Sequence, residues 1–298
     1  MIMAKSSGFK FAVNTNALRN SLKPAEIAVL VKKAGYHGIE WGLPSLDDSP
    51  ACIKEMGQVA QDQGLEIPAY INAGQLWKTD VIRKWSDMVA AVGGKKLRVG
   101  QPWVSFGFDQ SVHQRDSFNT LYKLMRDGME KLVPLYKEYG IQYVVEIHMG
   151  GVATSAATAW TLAQGLDPAA VGFIYDPANT ICEGFFRPRS SVEMLGRHLS
   201  YVHVKNLVLE EDNTQPDPTP TVARKRFRWK SVGLTEGMLD WAEVMFALKV
   251  TGWNGWLSME EFSIKKPLEE LTARRRFIED CIAAVPGQSS PPYAQNND

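Results

Sequence analysis

Cysteine is scarce in this chain of 298 residues: three occur, Cys52, Cys182 and Cys281, with no C-x-x-C spacing between them. No disulfide framework follows from such a set, and its usage suits a reducing compartment, so a cytoplasmic location is expected. Net charge is also missing. The 33 basic residues balance 33 acidic ones, leaving no overall polycation to hold a nucleic-acid backbone by counterion release. The basic cluster Arg224, Lys225, Arg226, Arg228 and Lys230 is short and follows the acidic Glu210, Glu211 and Asp212. It reads as a solvated or substrate-facing loop, and no nucleic-acid partner is expected. The start, MIMAKSSGFK, has no long apolar run after its lysine, so neither a signal peptide nor a membrane span is expected. A glycine-rich dinucleotide loop is absent as well: VNTNALRNS stands where it would follow the first strand, and no phosphate-binding loop ends in a lysine and a hydroxyl residue.

What is present is an alternation. Short β-prone runs, FKFAVNT, HGIEW, LEIPAYI, KKLRVG, YVVEIH, VGFIYD, SYVHVKN and GWLSMEEF, are each followed by an amphipathic stretch, beginning near Pro24, Asp48, Leu76, Ser117, Thr154, Ser190, Asp240 and Pro267. The first helix reads most plainly, with proline near its start, glycine past its end, and Ile27, Leu30, Val31 and Ala34 on one stripe. Strands separated by helices pair in parallel. Eight such units fit a single (β/α)8 TIM barrel, a fold of about 250 residues, over 9–284. The segment 285–298 has no apolar stripe and is expected to be a flexible tail. Residues 207–239, after strand seven, form a long loop rich in charge, proline and glycine. It is a candidate lid or contact in a homo-oligomer, a dimer or tetramer.

A barrel places its chemistry at the C-terminal ends of the strands. In SYVHVKN, His203 and Lys205 are two apart and share a strand face that ought to be apolar. Strand five ends in Glu146 and His148, strand six in Asp176, and strand eight in Glu260 and Glu261. Four consecutive strands therefore each deliver a ligand type to one mouth. Carboxylates crowded there repel one another and draw protons unless a cation joins them. An oxygen-rich set with one imidazole suits one divalent metal, Mn2+ or Mg2+ by preference, with Co2+ or Zn2+ as alternatives. Trp103, Phe106 and Phe108 sit in a loop long enough to cover the opening.

The pieces GIEWG, LEIPAY, VVEIH, YDPAN, VHVKN, EGMLDW and GWNGWLSMEEF together resemble the xylose-isomerase-like TIM barrel family, especially its sugar (phosphate) isomerase/epimerase branch. The resemblance implies a one-metal ligand set of Glu146, Asp176, His203 and Glu260, with Glu260 favoured over Glu261, and a catalytic, proton-moving role for Glu146 and Glu260. By strand parity Lys205 and His148 face the pocket, and Trp41 at the end of strand two is either a stacking wall for the sugar or a core or rim aromatic; the family's substrate-binding positions fall on Asn179 and on Arg228 or Lys230. Asn179 stands where the ketose 3-epimerases have a histidine, and the turn after Arg228 is altered, so the reaction is left open. The implied activity is a metal-dependent sugar isomerase or epimerase that abstracts a proton next to a carbonyl and passes through an enediolate. A lyase or dehydratase on an inositol-like or keto-acid substrate is the alternative, and a non-enzymatic sugar-binding protein the third reading. A three-zinc endonuclease on this barrel would need histidines on many strands, and the chain has five in all. Strand eight is followed by SIKKP, without the glycine-rich turn of the barrel's usual phosphate site, which favours a free ketose or aldose over a phosphate ester.

Overall fold

Eight short parallel strands close on themselves in the order β1-β10-β7-β6-β5-β4-β3-β2. They are β1 (Lys10–Asn14), β2 (Gly38–Gly42), β3 (Tyr70–Ile71), β4 (Lys96–Val99), β5 (Gln142–Glu146), β6 (Val171–Tyr175), β7 (Leu199–Val204) and β10 (Trp256–Met259). The helices α1 (Pro24–Lys33), α2 (Ser49–Asp62), α3 (Thr79–Ala91), α4 (Phe118–Tyr139), α5 (Ala156–Ala163), α6 (Pro177–Ile181), α7 (Pro188–Leu195), α8 (Trp241–Val250) and α9 (Pro267–Ala284) connect them. The computed structural model describes residues 8–46, 49–104, 116–184, 186–213, 225–262 and 264–286. The expected TIM barrel is therefore the fold found; most of the expected tail, 287–298, lies outside the described residues. No helix among the described residues is long and apolar enough to cross a membrane.

Local chemistry fixes the ends of the helices. Pro24 begins α1, where a missing N–H costs nothing, and Gly35 beyond it takes φ 81°, a left-handed turn that a side chain would strain. Ser117 accepts a hydrogen bond from the Thr120 N–H to start α4, and Asp240 caps the first N–H groups of α8. Strand three is shorter than LEIPAYI suggests. Pro68 has no N–H to give the ladder, so Glu66 makes an isolated bridge to Gly38 and regular pairing begins at Tyr70.

The segment after β7 is more regular than its composition suggests. β8 (Asn206–Glu211) pairs antiparallel with β9 (Phe227–Val232), with Leu209 opposite Trp229 and Glu210 opposite Arg228. Glu210, Arg228 and Lys230, part of the charge that made 207–239 look like an irregular loop, share one face of this hairpin, and Leu209, Trp229 and Phe227 share the other with Glu211. Residues 214–224, between the two strands, lie outside the described residues.

The barrel wall separates two environments. Outward-facing Ile39, Val145, Phe173 and Val202 join the large core between sheet and helices. Inside, a small apolar floor of Ala69, Val144, Ile174 and Tyr201, with Trp256 against it, fills the lower lumen. Polar side chains lie above that floor.

Candidate metal centre

Glu146 closes β5, Asp176 follows β6, His203 lies in β7 and Glu260 follows β10, and all four are buried. One ligand atom from each lies within 4.8 Å of the others. The structure thus brings together the four residues that the family resemblance implies as ligands, with Glu260 and not Glu261 in the cluster.

Each side chain is held by a different neighbour. Glu146 accepts a hydrogen bond from Asn179 Nδ2 at 3.0 Å on Oε1, while its Oε2 abuts the Arg98 guanidinium from β4. Asp176 is the N-cap of α6: its Oδ1 accepts the Asn179 N–H at 3.0 Å, which aims Oδ2 back at the cluster. Glu260 accepts from Asn14 Nδ2 on Oε1 and from Lys205 Nζ on Oε2, both at 3.0 Å. His203 Nδ1 faces Glu260 at 3.2 Å and Glu146 at 3.3 Å, and its Nε2 lies 3.0 Å from Glu40 Oε1 on β2. Lys205 Nζ sits among the carboxylates, 2.8 Å from Asp176 Oδ2.

Electrostatics divide the acids. Burial raises the Glu146 carboxyl, but Arg98, His203 and Lys205 outweigh it and hold the group well below the usual range. Burial acts likewise on Glu260, where Lys205 and His203 prevail and bring it to about 2. Asp176 goes the other way: burial, with the charges of Glu146 and Glu260 added, overcomes Lys205 and pushes it up to about 6. Burial disfavours the His203 imidazolium, yet Glu260, Glu40 and Glu146 raise its pKa well above the ordinary value.

These residues fit a divalent cation. Glu40, Glu146, Asp176 and Glu260 set four carboxylates against two permanent cations, Arg98 and Lys205, in a buried volume. With His203 neutral, the group is short of neutrality by two positive charges, a costly deficit away from water. Glu146 Oε2 and Asp176 Oδ2 also accept no directed hydrogen bond, although Arg98 and Lys205 stand near them. Three carboxylates and one imidazole with lone pairs to spare form a hard to borderline donor set.

The other expected site residues are dispersed. Lys205 is in the cluster, and Asn179 braces Glu146, donating also to the Ile147 carbonyl at 3.3 Å. His148 stands half-buried beyond Glu146 with Trp103 edge-on at 5.0 Å; Phe106 and Phe108 lie outside the described residues. Trp41 is not brought to the cluster. Strand parity turns it away from inward-facing Glu40 into the core between sheet and helices, where it is 1% exposed. Arg228 and Lys230 sit on the outer hairpin, each donating to Glu210. Glu261 points away from its neighbour Glu260 and accepts from Ser231 Oγ at 3.1 Å.

Sequence reasoning passed over Asn14 and gave no role to Glu40. Both lie near the C-terminal ends of their strands, the signal used for the ligands, and only their contacts across the lumen reveal a part in the site. A cavity of about 650 Å³ opens at the C-terminal rim, lined by Asn16, Arg19, Leu43, Pro44, Ser45, Asn72 and Phe262 from the loops after β1, β2, β3 and β10. Asn16 and Phe262 stand two residues beyond Asn14 and Glu260, which puts the cavity on the same end of the barrel as the cluster, in the size range of small-molecule sites.

Comparison with known proteins agrees with this architecture. Residues 28–281 match the xylose isomerase-like TIM barrel family. An inosose dehydratase of Geobacillus thermodenitrificans is 24% identical over 165 residues, 53% of this chain; the chain spans little more than half, 54%, of that relative's length. The apo structure of 3-keto-D-glucoside 4-epimerase from E. coli superposes with a TM-score of 0.70 at 17% identity, covering 92% of this chain and all of that one. The IOLI protein, whose structure holds a zinc atom, gives 0.70 at 15% identity, covering 92% of this chain and 98% of its own. At such identities the structural likeness carries the fold alone.

Proposed function

Because the chain belongs to the xylose isomerase-like TIM barrel family, we propose that it is a divalent-metal-dependent sugar isomerase or epimerase. The observation that carries this reading is the convergence of Glu146, Asp176, His203 and Glu260 on one buried point. When bound, a divalent cation supplies Lewis acidity, making a proton beside a carbonyl easier to remove. Mn2+ or Mg2+ suits three carboxylates and one imidazole, with Co2+ or Zn2+ as alternatives.

The chain's own groups perform the remaining tasks. Glu146 and Glu260 approach His203 Nδ1 from two strands, β5 and β10, that are not neighbours in the barrel. A substrate carbon between them meets a carboxylate on either side: one removes its proton and the other returns one, which inverts the centre. Return to the adjacent carbon instead moves the carbonyl and gives an isomerase. Lys205, its ammonium favoured by Asp176, Glu260 and Glu146 against the cost of burial, steadies the enediolate's negative charge. Asn14 and Asn179 fix the two glutamates by one hydrogen bond each, so neither carboxylate has to reorient during the proton transfer.

The rim cavity, with two amides, one guanidinium and Phe262, fits the polyhydroxyl end of a free ketose or aldose, for which it offers hydrogen-bond donors and an apolar wall. The hairpin β8–β9 is proposed to cover the mouth or dock against another subunit of a dimer or tetramer. A cytoplasmic location agrees with the three unpaired cysteines.

A second reading is favoured by the inosose dehydratase relatives: the same proton abstraction followed by loss of a β-hydroxyl. Incubating the Mn2+-loaded protein with free sugars, their phosphates and inososes in D2O, read by NMR, separates the two. Deuterium at a carbon beside the carbonyl with an inverted or rearranged product supports the first; loss of water supports the second. If no substrate exchanges or reacts, or if Glu146→Gln and Glu260→Gln both turn over normally, the proposal fails.

A further inference from the structure

Glu40 lies beneath the cluster rather than in it. It is fully buried and receives donors from two strands on the far side of β1. Tyr201 Oη donates to Oε1 at 2.5 Å, Ser258 Oγ donates to Oε2 at 2.5 Å, and His203 Nε2 lies 3.0 Å from Oε1. Tyr201 stands two residues before His203 on the same face of β7, and Ser258 on β10 is the register partner of His203. To reach them Glu40 must cross over β1, where the inward residue is Ala12, paired to Ser258 on one side and to Gly38 on the other. Small residues at these positions leave the lane in which the glutamate lies.

We propose that Glu40 is a positioning residue that selects the tautomer and ring orientation of His203 for metal binding. An imidazole that ligates through one nitrogen needs its N–H on the other, and that N–H needs an acceptor. Glu40 accepts from Nε2–H, so the proton a cation displaces is the one on Nδ1, and the lone pair then freed is directed at the point where Glu146, Asp176 and Glu260 meet, 3.3, 4.0 and 3.2 Å away. The two hydroxyls occupy the rest of the carboxylate and keep it from swinging toward the ligands. Without the acceptor, a ring that gives up one hydrogen would keep the one on Nδ1, donated to Glu260 or Glu146, and that tautomer cannot ligate a cation at this point. The carboxylate also increases the basicity of Nδ1 through the ring. The inference rests on the metal reading of the cluster and not on the reaction, and no substrate enters its test.

The test is Mn2+ affinity of purified protein by titration calorimetry, with circular dichroism and thermal melting of the metal-free protein as the fold control. Glu40→Leu removes the acceptor and should weaken binding by about 10- to 100-fold, the range for lost outer partners of metal ligands. Glu40→Gln keeps a carbonyl for His203 and Tyr201 and an amide for Ser258, and should recover most of that loss; a purely space-filling role predicts no such split. In a His203→Asn background, Glu40→Leu should have no further effect, because the pathway runs through the ring. Should Glu40→Leu not fold, the pair Tyr201→Phe with Ser258→Ala, which frees Glu40 without touching a ligand, should weaken binding by a smaller factor. The proposal is overturned if the folded variants bind Mn2+ like the native protein, if Gln is as weak as Leu, or if the loss persists undiminished without His203. A native protein that binds no divalent cation overturns it together with the metal reading, whatever sugar chemistry it performs.

Discussion

The two faces of the barrel wall obey opposite rules. The outward face of each strand carries apolar residues such as Phe173, Val145 and Val202, packed against helices, and each is favourable there through the apolar area it buries, with no charge to be compensated. On the inward face, Glu40, Arg98, Glu146, Asp176, His203, Lys205 and Glu260 are tolerable only as a set, since any one alone would be a buried charge without compensation. Stability therefore resides in one face and chemistry in the other, a few ångströms apart. The largest test of that division is Phe173→Ala, which empties a fully buried ring site and should cost about 3–5 kcal/mol by denaturant unfolding. Mn2+ affinity of the protein that remains folded should be unchanged. A large loss of affinity would mean the faces are coupled through the backbone.

The inward set can be broken from the other side. Lys205→Met takes the cation from Asp176 and Glu260 and should destabilise the metal-free protein by about 3 kcal/mol, the scale for removing one partner of a buried pair. Saturating Mn2+ should restore more stability to this variant than to the native chain, because the metal replaces the missing charge. Melting curves with and without Mn2+ decide it: an equal deficit in both conditions would show that Lys205 contributes by packing, not by charge.

The same contrast explains how far the sequence could be read. The outward face generates the alternation of strands and helices, so the barrel was legible; polar residues breaking the apolar pattern at four strand ends marked the site, and the family resemblance picked Glu146, Asp176, His203 and Glu260 from among them, over His148 and Glu261. Glu40 and Asn14 break the apolar pattern in the same way. Their partners, His203 and Glu260, are 163 and 246 residues distant along the chain, and no local pattern reports a contact across the lumen. Trp41 shows the converse error: its place at the end of a strand suggested a substrate wall, whereas parity with Glu40 sends it outward into the core. The hairpin β8–β9 was hidden because its alternation places Glu210, Arg228 and Lys230 on one face, and charge was taken for irregularity.

The floor of the lumen offers a milder test. Lys96 faces inward at the base of β4, donates to Ser200 Oγ at 2.9 Å and lies over the Tyr201 ring, and burial brings its pKa from 10.5 down to about 8. Between about pH 8 and pH 10.5 the unfolded chain holds a proton on this lysine that the native protein has lost, so its contribution to stability rises as pH climbs through that window. The gain is on the order of 2–3 kcal/mol. Lys96→Met removes the titration, and the difference in unfolding free energy between variant and native should shrink in the native protein's favour from pH 8 to pH 10.5. A constant difference would mean that the floor is wet enough to solvate the amine.

The smallest effect is expected at the hairpin, where charges meet in water. Arg228 donates to Glu210 Oε1 from Nε at 2.9 Å, and Lys230 donates to Oε2 at 3.0 Å. The side chains are 44%, 53% and 29% exposed for Arg228, Lys230 and Glu210, so solvent and salt screen an attraction that in the lumen would be nearly unscreened. The cost of ordering two long side chains offsets much of what is left. Arg228→Ala should therefore move the melting temperature by less than about 2 °C, and 1 M salt should erase the difference. Salt of that strength should leave the Lys205→Met deficit nearly intact, since no counterion reaches a buried ring of carboxylates. If instead Arg228→Ala melts many degrees lower and salt does not matter, the hairpin charge is buried against something absent from the isolated barrel, and a subunit interface at β8–β9 becomes the reading to pursue by light scattering of the two proteins.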